Sequence, residues 1–287
     1  MDLSIVEWFQ SIRNGFLDGV FSFITEFGGD LVFLVAGTLL WWLYDKRFGY
    51  RFMTIFLFTL GINDIIKNII ARERPYTQDG ITSIGEETYG YAMPSAHSSN
   101  AGIMALLIHE RFGKIKKWIT PTVFIMALLV GISRVYLGQH YLSDVIAGFA
   151  LAAAVYYGIV YLKPKISLPP FTIVYIGLAI FFIALFFVLD RNLYIAFGSI
   201  LGLTIGHQIE LKYVDYKEKA PWPTQIIKYL IGLIVALILQ EGLKIVLPYG
   251  NTSELGTLIL DSVRYFILTL WLSLGALATF KTIFKTT

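Results

Sequence analysis

The chain has 287 residues, 56% hydrophobic, 16% aromatic and only 15% charged, with a mean hydropathy of +0.67. Soluble domains carry about 25% charged residues, so this composition, with apolar runs along its whole length, excludes a soluble core and predicts a polytopic membrane protein. A net charge of +3 without a basic cluster argues against nucleic acid as a partner, and the absence of cysteine removes disulfides, thiol nucleophiles and cysteine metal sites.

Residues 2–27 place Ile5, Val6, Phe9, Ile12, Phe16, Val20 and Phe23 at helical spacing between Asp2, Glu7, Arg13, Asn14 and Asp18. This predicts an amphipathic helix, or two short ones, at the membrane interface. The segment lacks the basic start and clean apolar run of a cleaved signal peptide. Hydropathy then predicts nine spans, at roughly 30–45, 50–71, 96–110, 117–136, 141–162, 170–189, 193–211, 223–246 and 256–280. The expected fold is an all-α transmembrane bundle of about nine spans.

Alternate connections collect 14 of the 23 lysines and arginines, among them Lys46, Arg47, Arg111, Lys114, Lys163, Lys217 and Lys281. The positive-inside rule makes that set and the C-terminus cytoplasmic. The stretch from Lys163-Pro164-Lys165 to Pro169-Pro170 is the strongest internal boundary. The expected organisation is therefore an interfacial segment (1–28), a core (29–165) and a four-span C-terminal region (166–287). Compact loops and the lack of a signal point to a bacterial plasma (inner) membrane.

Three polar islands interrupt the core: Lys67-x6-Arg74-Pro75, then Pro94-Ser95-Ala96-His97, then Ser133-Arg134-x5-His140-x3-Asp144. All three fall on the extracytoplasmic side. Two histidines, three cations, a serine and a carboxylate suit a phosphate monoester. Lys67 and Arg74, seven apart, would share a face of a continuing helix, a point charge and a fork for phosphate oxygens. Arg72 reads as an ordinary interfacial cation and stays outside that clamp. Pro94 and Ser95 suit a helix start, whose free amides bind anions, with His97 on the first turn. Arg134 is the third cation. His140 and Asp144, four apart, would stack on one helix face, the carboxylate accepting Nδ1–H and leaving Nε2 free.

In this order and spacing the islands resemble the three-part signature of the type-2 phosphatidic acid phosphatase superfamily, the lipid phosphate phosphatases. The signature reads Lys-x6-Arg-Pro, Pro-Ser-Gly-His and Ser-Arg-x5-His-x3-Asp, and glucose-6-phosphatases and vanadium haloperoxidases share it. Ala96 stands where the family usually has glycine; it keeps its N–H. The resemblance implies a haloperoxidase-like helical core, with a nine-span layout similar to glucose-6-phosphatase. It implies that Lys67, Arg74, Arg134, Ser95 and the amides of Ala96 and His97 bind phosphate. By the same resemblance His140 is the nucleophile, Asp144 orients it, and His97 protonates the leaving group. No metal or other cofactor is implied. The implied partner is a membrane lipid phosphate or pyrophosphate; a lipid acceptor in place of water, a soluble sugar phosphate, and a transporter on the same scaffold are the alternatives. The oligomeric state is not readable.

Elsewhere, Asp64 precedes Lys67 by three residues. Glu241 with Lys244, and Asp261 with Arg264, have the spacing of ion pairs kept inside a bundle. His207 and Glu210 are candidates for a second polar site. His109, beside Glu110 and Arg111, reads as a solvated helix end.

Overall fold

The structure, a computed structural model, describes residues 2–85, 90–165, 169 and 171–284, with the backbone alone for 160–165 and 251. The described residues form helices and loops without a strand. The helices are α1 (Asp2–Ser11), α2 (Gly15–Thr25), α3 (Asp30–Leu39), α4 (Lys46–Ile70), α5 (Ala96–Phe112), α6 (Ile119–Tyr136), α7 (Leu142–Lys165), α8 (Thr172–Ala184), α9 (Arg191–Ile209), α10 (Trp222–Val246), α11 (Glu254–Leu270) and α12 (Ala276–Phe284). A helix stands at each of the nine predicted spans. Among the described residues, however, only five are long and apolar enough to cross a bilayer by themselves, or six if Gly15–Gly28 and Asp30–Tyr44, bent by 48°, make one span. α5 falls short because it has 17 residues and begins with the polar turn Ala-His-Ser-Ser-Asn.

Two compact units emerge from the packing: Met1–Phe33 with Ile62–Ser167, and Leu34–Gly61 with Leu168–Thr287. They do not follow the linear segments of the chain. The N-terminal part of α4 belongs to one unit and its C-terminal part to the other.

In the first unit α5 packs against α6 and α7. Small residues permit the approach: Ala101 and Ala105 of α5 meet Ala127 and Val130 of α6, with Ile24 and Phe27 covering the cluster. The N-terminal helices are part of this core. Val6 of α1 is buried with Val135, Tyr141 and Val145, and Leu3, Ile5 and Phe9 flank it. Arg13 clasps two connections, donating to the Tyr136 carbonyl (2.7 Å) and the Thr82 carbonyl (2.8 Å). Gly138 occupies the left-handed region (φ +72°), and a Cβ there would meet the Thr82 carbonyl at 2.6 Å, so this turn requires glycine.

The second unit is built on α9 and α11. Gly198, Gly202 and Gly206 recur every fourth residue along α9. A Cβ at Gly198 or Gly202 would lie 2.0 or 2.3 Å from the carbonyls of Ser262 or Phe266. Backbone therefore packs on backbone, the small-residue seam that joins helices where water cannot drive them together. α8 and α10 expose Ile180, Phe182, Ile183, Leu230, Ile234, Leu237 and Ile238. Faces of that composition belong in lipid, and the chain is an integral, multi-pass membrane protein.

Candidate active site

The first unit brings the three islands to one end of its helices: the C-terminal ends of α4 and α6 and the N-terminal ends of α5 and α7. The local route differs from the sequence expectation in two places. α4 stops at Ile70, where Ala71 adopts φ +50° and turns the chain. Arg74 therefore does not share a helix face with Lys67; it reaches the site from the following connection. His140 likewise precedes α7 rather than lying on it. Its proximity to Asp144 comes from a turn, because an Asp144 carboxylate oxygen (Oδ2) caps α7 by accepting the Tyr141 N–H at 2.8 Å.

His140 is the centre of the arrangement and is almost wholly buried. Arg74 Nη1 donates to its Nε2 at 3.1 Å, and its Nδ1 lies 3.5 Å from Asp144 Oδ2, longer than an ordinary hydrogen bond. The donation to Nε2 requires the tautomer with the proton on Nδ1, facing the carboxylate. Arg74 also holds the carbonyls of Gly90 (2.8 Å, from Nε) and Gln139 (3.1 Å, from Nη1). Burial first, then the positive charges of Arg74, Arg134 and Lys67, push the His140 imidazole well below its usual pKa of 6.5. The ring is therefore held neutral.

The remaining predicted residues surround it. Lys67 is buried, with Nζ 4.0 Å from Asp64 Oδ1. Arg134, also buried, donates to Thr25 Oγ1 of α2 at 3.1 Å. Ser95 is the N-cap of α5, as its sequence position suggested. Its Oγ accepts from Ser98 Oγ (3.0 Å) and Ser98 N (3.4 Å), and its own amide donates to the Asp144 carbonyl at 2.9 Å. The second island is thus tied to the third. Ala96 and half-buried His97 form the first turn of α5, whose amides lack intrahelical partners and favour an anion. No group of three His, Asp or Glu that could hold a metal occurs among the described residues.

Sequence reasoning missed Arg72, which is bound to Asp144 Oδ1 at 2.8 Å. The signal was available: Arg72 lies on the same side of the membrane as the islands, where the argument from basic loops fails for it as it does for Arg74. Other charges divide differently. Glu241 and Lys244 do pair (2.8 Å), but on an exposed face near the end of α10 rather than inside a bundle. Asp261 pairs with Arg264 (3.2 Å) and also with Arg191 (2.7 Å). His207 lies 3.7 Å from Glu210, which is neutralised by Lys46 at 2.8 Å. His109 is exposed and contacts Thr120 Oγ1 at 2.8 Å.

Residues 48–167 match the PAP2 superfamily, and residues 194–286 match the transmembrane extension of PAP2 superfamily phosphatases. Phosphatidylglycerophosphatase B of Bacillus subtilis is 32% identical over 160 residues, covering 51% of this chain and 75% of that one. Undecaprenyl-diphosphatase of Sulfolobus acidocaldarius is 29% identical over 141 residues, 48% of this chain and 66% of that one. A crystal structure of a transmembrane PAP2-type phosphatidylglycerolphosphate phosphatase from Bacillus subtilis aligns with 58% of this chain and 86% of its own, at 28% identity and a TM-score of 0.48. The class is accordingly a multi-pass membrane enzyme that hydrolyses phosphate esters. Within that class the chain belongs to the PAP2 superfamily.

Proposed function

We propose that the protein removes phosphate from a lipid phosphate or pyrophosphate through a phosphohistidine intermediate on His140. The observation that carries this reading is the neutral His140 ring, with Nε2 under the Arg74 guanidinium and Nδ1 facing Asp144. An arriving phosphate monoester offers Arg74 better acceptors than a ring nitrogen, and charge-assisted bonds to its oxygens release the Nε2 lone pair. Nε2 then attacks phosphorus, the bond to the lipid oxygen breaks, and His97, which takes up a proton beside the bound phosphate anion, gives that oxygen the proton. In the second step water gives a proton to His97 and attacks phosphorus; the N–P bond breaks, inorganic phosphate leaves and His140 is restored. Lys67, Arg74, Arg134 and the first amides of α5 would stabilise the charge on the equatorial oxygens.

The relatives' names cover a phosphatidylglycerophosphate and an undecaprenyl diphosphate. They support a lipid substrate bearing a terminal phosphate, with phosphatidic acid as a third member of the same chemistry. The test is phosphate release by purified protein in detergent with EDTA present, across these lipids and glucose 6-phosphate. Release from at least one lipid, lost in His140→Ala, is expected; equal release by the variant would refute the mechanism.

The distribution of lysine and arginine supports an extracytoplasmic site and a cytoplasmic C-terminus. Because the chain has no cysteine, single-cysteine labelling tests this directly. Gln78→Cys, in the exposed connection before α5, should react with a membrane-impermeant maleimide in intact cells. Lys217→Cys should react only after permeabilisation; the reverse pattern would invert the topology.

A further inference from the structure

Asp144 is described above as the orienting group, yet its side chain is wholly buried and its ionised form needs a cation nearby. One carboxylate oxygen, Oδ2, accepts the Tyr141 amide and faces His140. The other accepts from Arg72 Nη1 at 2.8 Å. The same Nη1 reaches Ser143 Oγ at 2.6 Å, Nη2 reaches Asp2 Oδ2 of α1 at 3.1 Å, and the guanidinium lies over the Tyr141 ring, 4.0 Å from its centroid. Ser143 Oγ in turn donates to Asp2 Oδ2, and the Ser143 amide donates to Asp2 Oδ1 at 3.3 Å.

We infer that Arg72 is a positioning residue for the reaction, holding the Asp144 carboxylate ionised and turned toward His140, and that Asp2 of α1 and Ser143 hold Arg72 in that role. This rests on the proposed function, in which Asp144 orients the His140 nucleophile. The contacts form one line, Asp2–Arg72–Asp144–His140–Arg74, in which the two arginines bracket the nucleophile from opposite ends. Of the two, Arg74 faces the ring nitrogen that would meet phosphorus. Arg72 has Nη1 and Nη2 engaged and one face covered by Tyr141, so it is spent on the carboxylate rather than on substrate. Burial raises the carboxyl pKa of Asp2, but the bonds from Ser143 and Arg72 outweigh it and leave the value below the ordinary range, so Asp2 stays charged at neutral pH. The short α1 helix, whose apolar face docks on α6 and α7, therefore contributes to the site as well as to the core.

The experiment compares wild type, His140→Ala, Asp144→Asn, Arg72→Gln, Arg72→Lys, Asp2→Asn and the Arg72→Gln/Asp144→Asn pair, all as purified full chains. Release from the lipid that wild type turns over fastest is measured, with the thermal unfolding midpoint as a check that each variant is folded and vanadate affinity as a reading of the phosphate site. Arg72→Gln should lower kcat about 10–100-fold, the range for partners that orient a working side chain, with KM and vanadate affinity within about 3-fold of wild type. Arg72→Lys should recover part of the loss, and Asp2→Asn should lose less than Arg72→Gln. The double variant should be no slower than Asp144→Asn alone, because Arg72 acts through that carboxylate. Unchanged kcat in Arg72→Gln, a rise confined to KM, or additive losses would overturn the inference. If Arg72→Gln does not fold, Asp2→Asn alone and paired with Asp144→Asn decides by the same criterion. An inactive wild type, or an active His140→Ala, would instead strike the proposed function itself.

Discussion

In the unit built on α9 and α11, cations meet carboxylates directly, Lys46 and Arg264 from buried positions and Arg191 from an exposed one. Lys46 Nζ lies 2.8 Å from Glu210, and Arg191 and Arg264 share Asp261 at 2.7 and 3.2 Å. In the unit built on α5, Arg74 reaches His140 and two backbone carbonyls, Arg134 reaches the Thr25 hydroxyl, and Lys67 stands 4.0 Å from Asp64. Both units bury charge at similar depth, but their electrostatic outcomes differ. Direct pairing of Lys46 with Glu210 and of Arg264 with Asp261 makes the first cluster a structural tie. In the other unit Arg74, Arg134 and Lys67 all add positive potential at the neutral His140 ring, and a potential of that sign favours an anion there. The comparison teaches that burial of charge by itself does not mark a site; cations gathered around a nucleophilic ring do.

The largest effect expected on that contrast is at His140. His140→Ala removes the only atom proposed to bond phosphorus and should abolish turnover in the phosphate-release assay, by at least about 10³-fold. Asp144→Asn keeps the shape but loses the charge facing Nδ1, and kcat should fall by about 10²–10⁴-fold, as when the orienting carboxylate of a triad is neutralised. Arg134→Met should weaken vanadate binding about 10–100-fold, corresponding to a lost charge-assisted bond of about 1.5–3 kcal/mol. A titration with vanadate reads this independently of turnover.

In the other unit the consequence should move from activity to stability. Lys46→Met leaves Glu210, fully buried, without its cation, and breaking a buried pair this way costs about 3–5 kcal/mol. A clear fall in Tm is expected, with kcat per folded molecule within about 2-fold of wild type. A loss of turnover as large as that of Arg134→Met would erase the distinction between the two clusters.

The smallest effect is on pH dependence. In the proposed reaction His140 attacks only as the neutral ring, which exists above its pKa, and burial with the surrounding cations sets that pKa well below 6.5. As pH falls, kcat/KM should therefore hold through 6.5 and decline only further down. Lys67→Met removes one of those charges, so its acid limb should lie at higher pH than that of wild type. An acid limb at 6.5 in wild type would mean the positive field is screened.

Much of this was legible in the chain. Apolar runs located the helices because burial of backbone in lipid allows little else. Ser95 could be read as an N-cap because a hydroxyl just before a helix has one strongly favoured use. The spacings within the islands singled out residues that the structure gathers around His140. What local periodicity could not supply was how the islands meet. Helical spacing put Lys67 and Arg74 on one face, and His140 over Asp144, but the left-handed Ala71 and the turn before α7 end the helices first. Tertiary packing then restored both neighbourhoods by another route. Asp2, Arg72, Ser143 and Asp144 are up to 142 positions apart, and no period relates them. The sequence by itself determined the helices, their membrane setting and the chemistry of the three islands, because those depend on composition and short-range spacing. Only the tertiary structure decided which arginine faces His140 and which holds the Asp144 carboxylate, because that choice is made by where the connections fold back and by the α1 carboxylate that waits there.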